Sequence, residues 1–210
     1  NYALKHCLYY YYRLHEHRCE EVNGPFKTLK EFLLNVGLNC PNSYFSQGPR
    51  SSALTFKIKD IKIHQLQGHE VNTLAKQALE TANSRNAHTA IEIFLLKNDE
   101  KTLAVEVPLW LENNELADYN ELFNSELPLT GHIDILRMED NKIWVWDYKP
   151  NASKEIHAPT QIFFYAYMLS KRTSIPIENF RCGYFDSTYA FIFNPSKASI
   201  IKDNTLVNYL

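Results

Sequence analysis

Apolar residues in the first part of this chain recur at helical intervals. Leu4, Leu8, Tyr11, Tyr12 and Leu14 fall near the 3.6-residue period, with His and Arg between them. This predicts a helix within residues 1–22, ended by Asn23-Gly24-Pro25. A second short helix is expected over Leu29–Val36, stopped by Gly37. The stretch Asn39–Ser52, with two Pro, a Gly and several Ser and Asn, reads as a loop, either a linker or a segment near a substrate. Between Ile61 and Ala82 the helical repeat returns through Leu66, Val71, Leu74, Ala75, Ala78 and Leu79.

Strand-like runs dominate the rest. Thr89–Leu96 and Thr102–Leu111 are the first two, and the Lys97-Asn98-Asp99-Glu100 turn makes them a hairpin candidate. The polar segment Glu112–Glu126 separates them from Leu129–Met138. Glu139-Asp140-Asn141 is a tight-turn signal leading into Lys142–Tyr148. A helix is expected over Pro159–Lys171, since Pro suits a first-turn position. Phe180–Phe185 and Tyr189–Phe193 read as paired strands around Asp186-Ser187-Thr188. The order implies an α/β arrangement with a central mixed sheet flanked by helices, preceded by a helical N-terminal segment.

Composition changes this picture little, and charge somewhat more. The 210 residues, 45% hydrophobic and 22% charged, suit one globular domain with an appendage. No apolar run approaches the roughly 20 residues of a membrane span, so no membrane association is expected. The chain opens on Asn-Tyr-Ala without an initiator Met, as a processed or truncated chain would, and shows no signal peptide. Cys7, Cys19, Cys40 and Cys182 form no CxxC pair, which reads as free thiols in a reducing compartment, hence the cytoplasm. Net charge is −2, which alone argues against a generic nucleic-acid binder. Residues 1–65 nevertheless carry nine Lys/Arg against five acidic residues, while the remainder carries thirteen against nineteen. A basic arm (1–60) ahead of an acidic body (61–210) fits a protein that holds phosphates with one part and cations with the other, although both also read as ordinary solvated faces.

The candidate chemistry lies between Leu129 and Tyr165. With a strand's period of two, Asp134 points away from Ile133 and Ile135. In the next strand Asp147 and Lys149 share one face, and Trp144, Trp146 and Tyr148 share the other. An Asp and a Lys ending an apolar strand are costly unless paired, hydrated or bound. If the turn at 139–141 makes the two strands neighbours, both carboxylates converge at one sheet edge. Two such carboxylates hold a hard divalent cation such as Mg²⁺ or Mn²⁺. The cation polarises a scissile phosphate and acidifies bound water. A lysine beside it orients that water or neutralises developing charge, and the Tyr148 carbonyl is a further oxygen donor. A lone DxK, being common, would read as an exposed ion pair.

Several features agree in order, however. Gly131-x-x-Asp134, Asp147-Tyr148-Lys149 and Gln161-x-x-x-Tyr165 on a following helix together resemble the RecB-like branch of the PD-(D/E)XK nucleases, which includes CRISPR-associated and mitochondrial exonucleases. The resemblance spans about residues 61–195. It implies a restriction-endonuclease-like core and a Mg²⁺- or Mn²⁺-dependent deoxyribonuclease of DNA repair or recombination. In it Asp134, Asp147 and Lys149 are catalytic, and Asp134, Asp147 and Tyr148 surround the metal. Gln161 and Tyr165, four apart on one helix face, would lie beside the DNA. The family often carries a metal-binding His on the helix before the sheet, in a Gly-x-x-x-His setting. Here Gly68 is followed directly by His69, with Asn72 at the usual place, so His69 is the expected ligand and His64 its alternative. Glu106 resembles the acidic residue that precedes the Gly-x-x-Asp strand, and is a supporting site residue or an outward-facing strand Glu. Single-stranded DNA or DNA ends are the implied substrates. Tyr9–Tyr12 read as a base-stacking platform or as the core of one helix, the helix being preferred. The rival readings are a catalytically silent nuclease-fold domain that binds nucleic acid or scaffolds a complex, and a metal-dependent hydrolase of small substrates.

Overall fold

The computed structural model describes residues 1–82 and 86–200. Strands β1 (Tyr2–His6) and β2 (Leu8–Leu14) open the chain, followed by helices α1 (Glu16–Glu21) and α2 (Lys27–Asn39). A short β3 (His64–Gln67) precedes α3 (Glu70–Thr81) and α4 (Ala87–Asn98). Next come β4 (Thr102–Leu111), α5 (Tyr119–Phe123), β5 (Leu129–Glu139) and β6 (Lys142–Tyr148). Helix α6 (Ala158–Thr173), β7 (Phe180–Phe185) and β8 (Tyr189–Phe193) complete the described elements.

Among the described residues one eight-stranded sheet runs in the order β1-β2-β4-β5-β6-β7-β8-β3. Its pairs are antiparallel except β6–β7, which is parallel and joined through α6, as a parallel pair requires a crossover. The sheet is therefore mixed and flanked by helices, as the residue pattern implied. On one face α6 buries Ile162 and Leu169 over Ile143 and Val145, and α2 adds Leu29 and Leu33 to the same core beside α6 and β4. On the other, α3 and α4 bury Val71, Ala75, Ile91 and Leu95 against Trp146, Tyr148 and Phe185. Asp140 and Asn141, at φ +50° and +53°, supply the left-handed pair that a two-residue β5–β6 turn demands.

Four expectations fail, each for a physical reason. Residues 2–14 are a hairpin, not a helix: Cys7 reverses the chain at φ +63°, and the side chains then alternate. The tyrosine run satisfies a period of two as well as one of 3.6. Thr89–Leu96 lies within α4 and forms no hairpin with β4, because Ile91 and Leu95 are both buried one turn apart and Asn86 caps the helix by accepting from Thr89 N. The helix expected from Ile61 starts only at Glu70, after Gly68 at φ +73°, while His64–Gln67 pair with β8. Gly37 does not end α2. A Cβ there would meet the Tyr2 ring at 2.4 Å, so glycine lets the hairpin lie directly on the helix.

A buried histidine pair also fastens that hairpin. Arg50 Nη2 donates to His132 Nδ1 (3.4 Å), a 2.7 Å bond joins His132 Nε2 to His6 Nδ1, and His6 Nε2 reaches Asn42 Oδ1 at 2.8 Å. Since Arg can only donate, one neutral tautomer of each ring satisfies the whole chain. Burial accordingly lowers both histidines, His6 to about 4. All four cysteines are free thiols. No described helix is long and apolar enough to cross a membrane.

Candidate active site

The β5–β6 register pairs Ile135 with Trp146, which sets Asp134 across from Asp147 where the two strands end their ladder. Beyond that point Asp134 Oδ2 accepts from Tyr148 N at 2.9 Å, a side chain replacing a backbone partner. Asp147 is fully buried. Its Oδ1 accepts from Gln161 Nε2 at 3.0 Å, and its Oδ2 lies 2.7 Å from Lys149 Nζ. Lys149 is thus the ion-pair partner of Oδ2, which has no other polar partner among the described residues. Lys149 itself leaves the strand with its N–H on Phe185 O (2.9 Å).

Two further acids join them. Glu106 sits between the pairs Val105–Ile135 and Val107–Ile133, hence across from Asp134, and adopts φ +53°. A non-glycine residue there stores roughly 1–2 kcal/mol of strain. The kink has a use: Val107 and Ile133 pack in one core, Val105 and Ile135 in the other. Asp134 is therefore not simply opposite both of its isoleucine neighbours, as a regular strand would have it. Glu92, from α4, is buried against Glu106, and its Oε1 has no hydrogen-bond partner among the described residues. His88, one turn earlier, places Nε2 3.3 Å from Asp134 Oδ2 and its ring edge-on to Tyr148.

Electrostatics follow from this crowding. Burial, then repulsion from Asp134, pushes Asp147 up to about 7 and Glu106 up to about 8, and burial with Glu106 and Asp134 raises Glu92 further. Burial works against the charged forms of Lys149 and His88, but the adjacent carboxylates outweigh it and raise both. Among the described residues no three His, Cys, Asp or Glu side chains close into a finished metal cage. The donor set still suits a hard cation: carboxylate oxygens predominate, two of them buried without hydrogen bonds, and mutual repulsion disfavours their charge until a cation arrives.

Gln161 and Tyr165 are brought to the cluster, but as supports. Gln161 Nε2 donates to both Asp147 Oδ1 and Tyr165 Oη (2.8 Å), and both side chains are buried. The Tyr165 ring occupies the space above Gly131, where a Cβ would lie 2.3 Å from Cε1. His69 is not brought in. It caps α3, accepting from Val71 N at 3.3 Å, and its ring packs on Trp146 among Arg137, Glu139, Glu70 and Lys101. His64 is exposed on β3. Asn72 donates to Asp186 O (2.7 Å).

Residues 55–203 match the model of the PD-(D/E)XK nuclease superfamily. The chain belongs to that superfamily. No curated protein matches it. In PD-(D/E)XK terms the fold is restriction-endonuclease-like, and the matched span contains the acid cluster, Lys149 and α6 but not the β1–β2 hairpin. The residues that sequence reasoning missed are His88 and Glu92. Their signal was a polar pair four apart in an apolar run behind an Asn cap, which is one helix face if the run is helical.

Proposed function

We propose that the chain is a metal-dependent deoxyribonuclease of the RecB-like branch, hydrolysing phosphodiester bonds of single-stranded DNA or DNA ends. The observation that carries this reading is the meeting of Asp134, midway along β5, with Asp147, near the end of β6, and Lys149 on Asp147. Asp134, Asp147 and Glu106 would hold Mg²⁺ or Mn²⁺, with the Tyr148 carbonyl as a further donor. When bound, the cation polarises the phosphate and lowers the pKa of attached water. The protein's own residues do the rest. Lys149 stays cationic beside Asp147, where it orients the attacking water and balances charge growing on the phosphate. Gln161, braced by Tyr165, fixes one Asp147 oxygen, and the other, now on Lys149, would be shared with the ion. His88 and Tyr148 N fix Asp134 in the same way. Glu92 holds a proton against Glu106, and releases it when the cluster takes up positive charge.

Cleavage of end-labelled single- and double-stranded DNA with Mg²⁺ or Mn²⁺ tests this. Asp147→Asn and Lys149→Ala are each expected to lose about 10³-fold or more in rate, roughly 4 kcal/mol of barrier. Cleavage indifferent to both substitutions would overturn the assignment. DNA binding without any wild-type cleavage would select the silent scaffold instead.

A further inference from the structure

The run Tyr9–Tyr12 divides between two roles because β2 is a strand whose side chains alternate. Tyr12 turns inward, fully buried, and donates to Leu33 O at 2.7 Å, while Tyr10 stacks on His132. Tyr9 and Tyr11 turn outward and remain 65% and 51% exposed. Arg13 follows on their face, its guanidinium 5.3 Å from the Tyr11 ring centre. Across the ladder the register sets Lys5 beside Tyr9 and Ala3 beside Tyr11. This face thus carries two rings, two cations and one methyl too small to cover Tyr11. Residues 1–14 contain no Asp or Glu.

Two exposed rings side by side on one strand face, with cations around them, form a surface suited to a binding partner. The strip also has a direction: Arg13 pairs with Val105, immediately before Glu106, so the face runs into the acid cluster. Alternate side chains on a strand stand about 6.6 Å apart, a step that one unstacked nucleotide spans. Rings at that spacing between cations match bases alternating with phosphates. A duplex, its bases paired and stacked, offers no base face to such rings.

We propose that the outward face of the β1–β2 hairpin, with Tyr9, Tyr11, Lys5 and Arg13, docks an unpaired nucleic-acid strand leading into the acid cluster. The inference rests on the nuclease reading of that cluster and adds to it the surface that receives the strand and its side of entry. Two successive bases stack on Tyr9 and Tyr11, and Lys5 and Arg13 hold the flanking phosphates.

The test is fluorescence anisotropy with the full chain in EDTA, using labelled oligo(dT), oligo(U) and a blunt duplex of equal length. Against wild type, the double variant Tyr9→Ala/Tyr11→Ala is expected to bind the single strands at least about fivefold more weakly for each ring lost. Tyr9→Phe/Tyr11→Phe, which keeps the rings, is expected to stay within about threefold, and duplex binding is expected to be equal in all three proteins. Photo-crosslinking of a 5-iodouracil oligonucleotide to wild type, mapped by mass spectrometry, is expected at Tyr9 or Tyr11 and needs no variant. Equal single-strand affinity of the alanine variant, crosslinks confined elsewhere, or no wild-type preference for unpaired strands would overturn the proposal. So would a wild-type dimer in size-exclusion chromatography that the alanine variant dissolves, which would make the strip a contact between copies. Because binding is read without metal, ring-dependent binding by a chain that never cleaves sinks the nuclease reading alone. Cleavage with ring-independent binding sinks the strip alone.

Discussion

Asp134 and Arg137 lie three residues apart on β5, and their surroundings treat charge in opposite ways. Arg137 is fully buried, with Nε on Asp99 at 2.8 Å and Nη2 on Glu70 at 2.6 Å, and Lys101 bridges Glu70 and Glu139 at 2.8 and 2.7 Å. There burial opposes the charge on Glu70, yet the cations prevail and hold it below its usual range, while Arg137 is raised. Around Asp134 the balance reverses. Glu92, Glu106 and Asp147 are pushed toward their neutral forms, and oxygens are left without hydrogen bonds. Near the end of the strand opposite charges are matched, although Arg137 Nη1 makes no hydrogen bond among the described residues. Midway along it the acids outnumber Lys149 and His88, the imbalance that the metal site proposed above would relieve.

The contrast is breakable. The largest expected effect is kinetic: Asp147→Asn lowers cleavage by about 10³-fold as above, while its stability loss is smaller than that of the arginine variant below, because the lost Lys149 pair is offset by relief of repulsion from Asp134. A thermal scan showing a large loss would erase the distinction. Next, Arg137→Met leaves Asp99 buried without its partner and should cost about 3–5 kcal/mol in a denaturant melt, while cleavage per folded molecule holds. Third, Mn²⁺ at a hundred times its dissociation constant should stabilise the protein by about 2.7 kcal/mol, and Asp134→Asn/Asp147→Asn should abolish this. The sign of the pH effect sharpens it. Folded carboxyls raised above their unfolded values hold extra protons, so the metal-free protein loses their contribution as pH rises through about 7 for Asp147 and about 8 for Glu106. Mn²⁺ affinity should rise over the same window with proton release, measurable by calorimetry in two buffers. The smallest effect is expected of Glu92→Gln, a neutral mimic of the protonated acid: a change within about 1 kcal/mol and a flatter pH profile of stability.

The sheet from β4 to β8, its β5–β6 turn and α6 were legible because alternation, turn residues and length agreed there. That Lys149 would meet Asp147 was legible from the strand's period of two, and that Asp134 would lie across from Asp147 from the turn at 139–141, although the kink at Glu106 breaks the simple alternation around Asp134. The N-terminal hairpin was not, because four consecutive tyrosines carry no contrast between inward and outward positions. Helix α4 was misread because Thr89, Ile91, Ile93 and Leu95 alternate and are rich in β-branches, which hid His88 and Glu92 with it. His69 failed for another reason: next to Gly68 it served as a helix cap, a local role that no spacing motif distinguishes from metal ligation. Of the pair expected beside DNA, Gln161 bonds Asp147 and Tyr165 bonds Gln161, a supporting arrangement that the four-residue spacing alone did not reveal.

The hollow above Gly131 binds that arrangement to a single missing methyl. Tyr165 fills the hollow, Gln161 leans on Tyr165, and Asp147 is held by Gln161. Two positions far apart in the chain are thereby locked into joint inheritance. A larger residue at 131 becomes tolerable only in a lineage that has already given up the ring at 165, and with it the brace on a carboxylate neither residue touches in sequence.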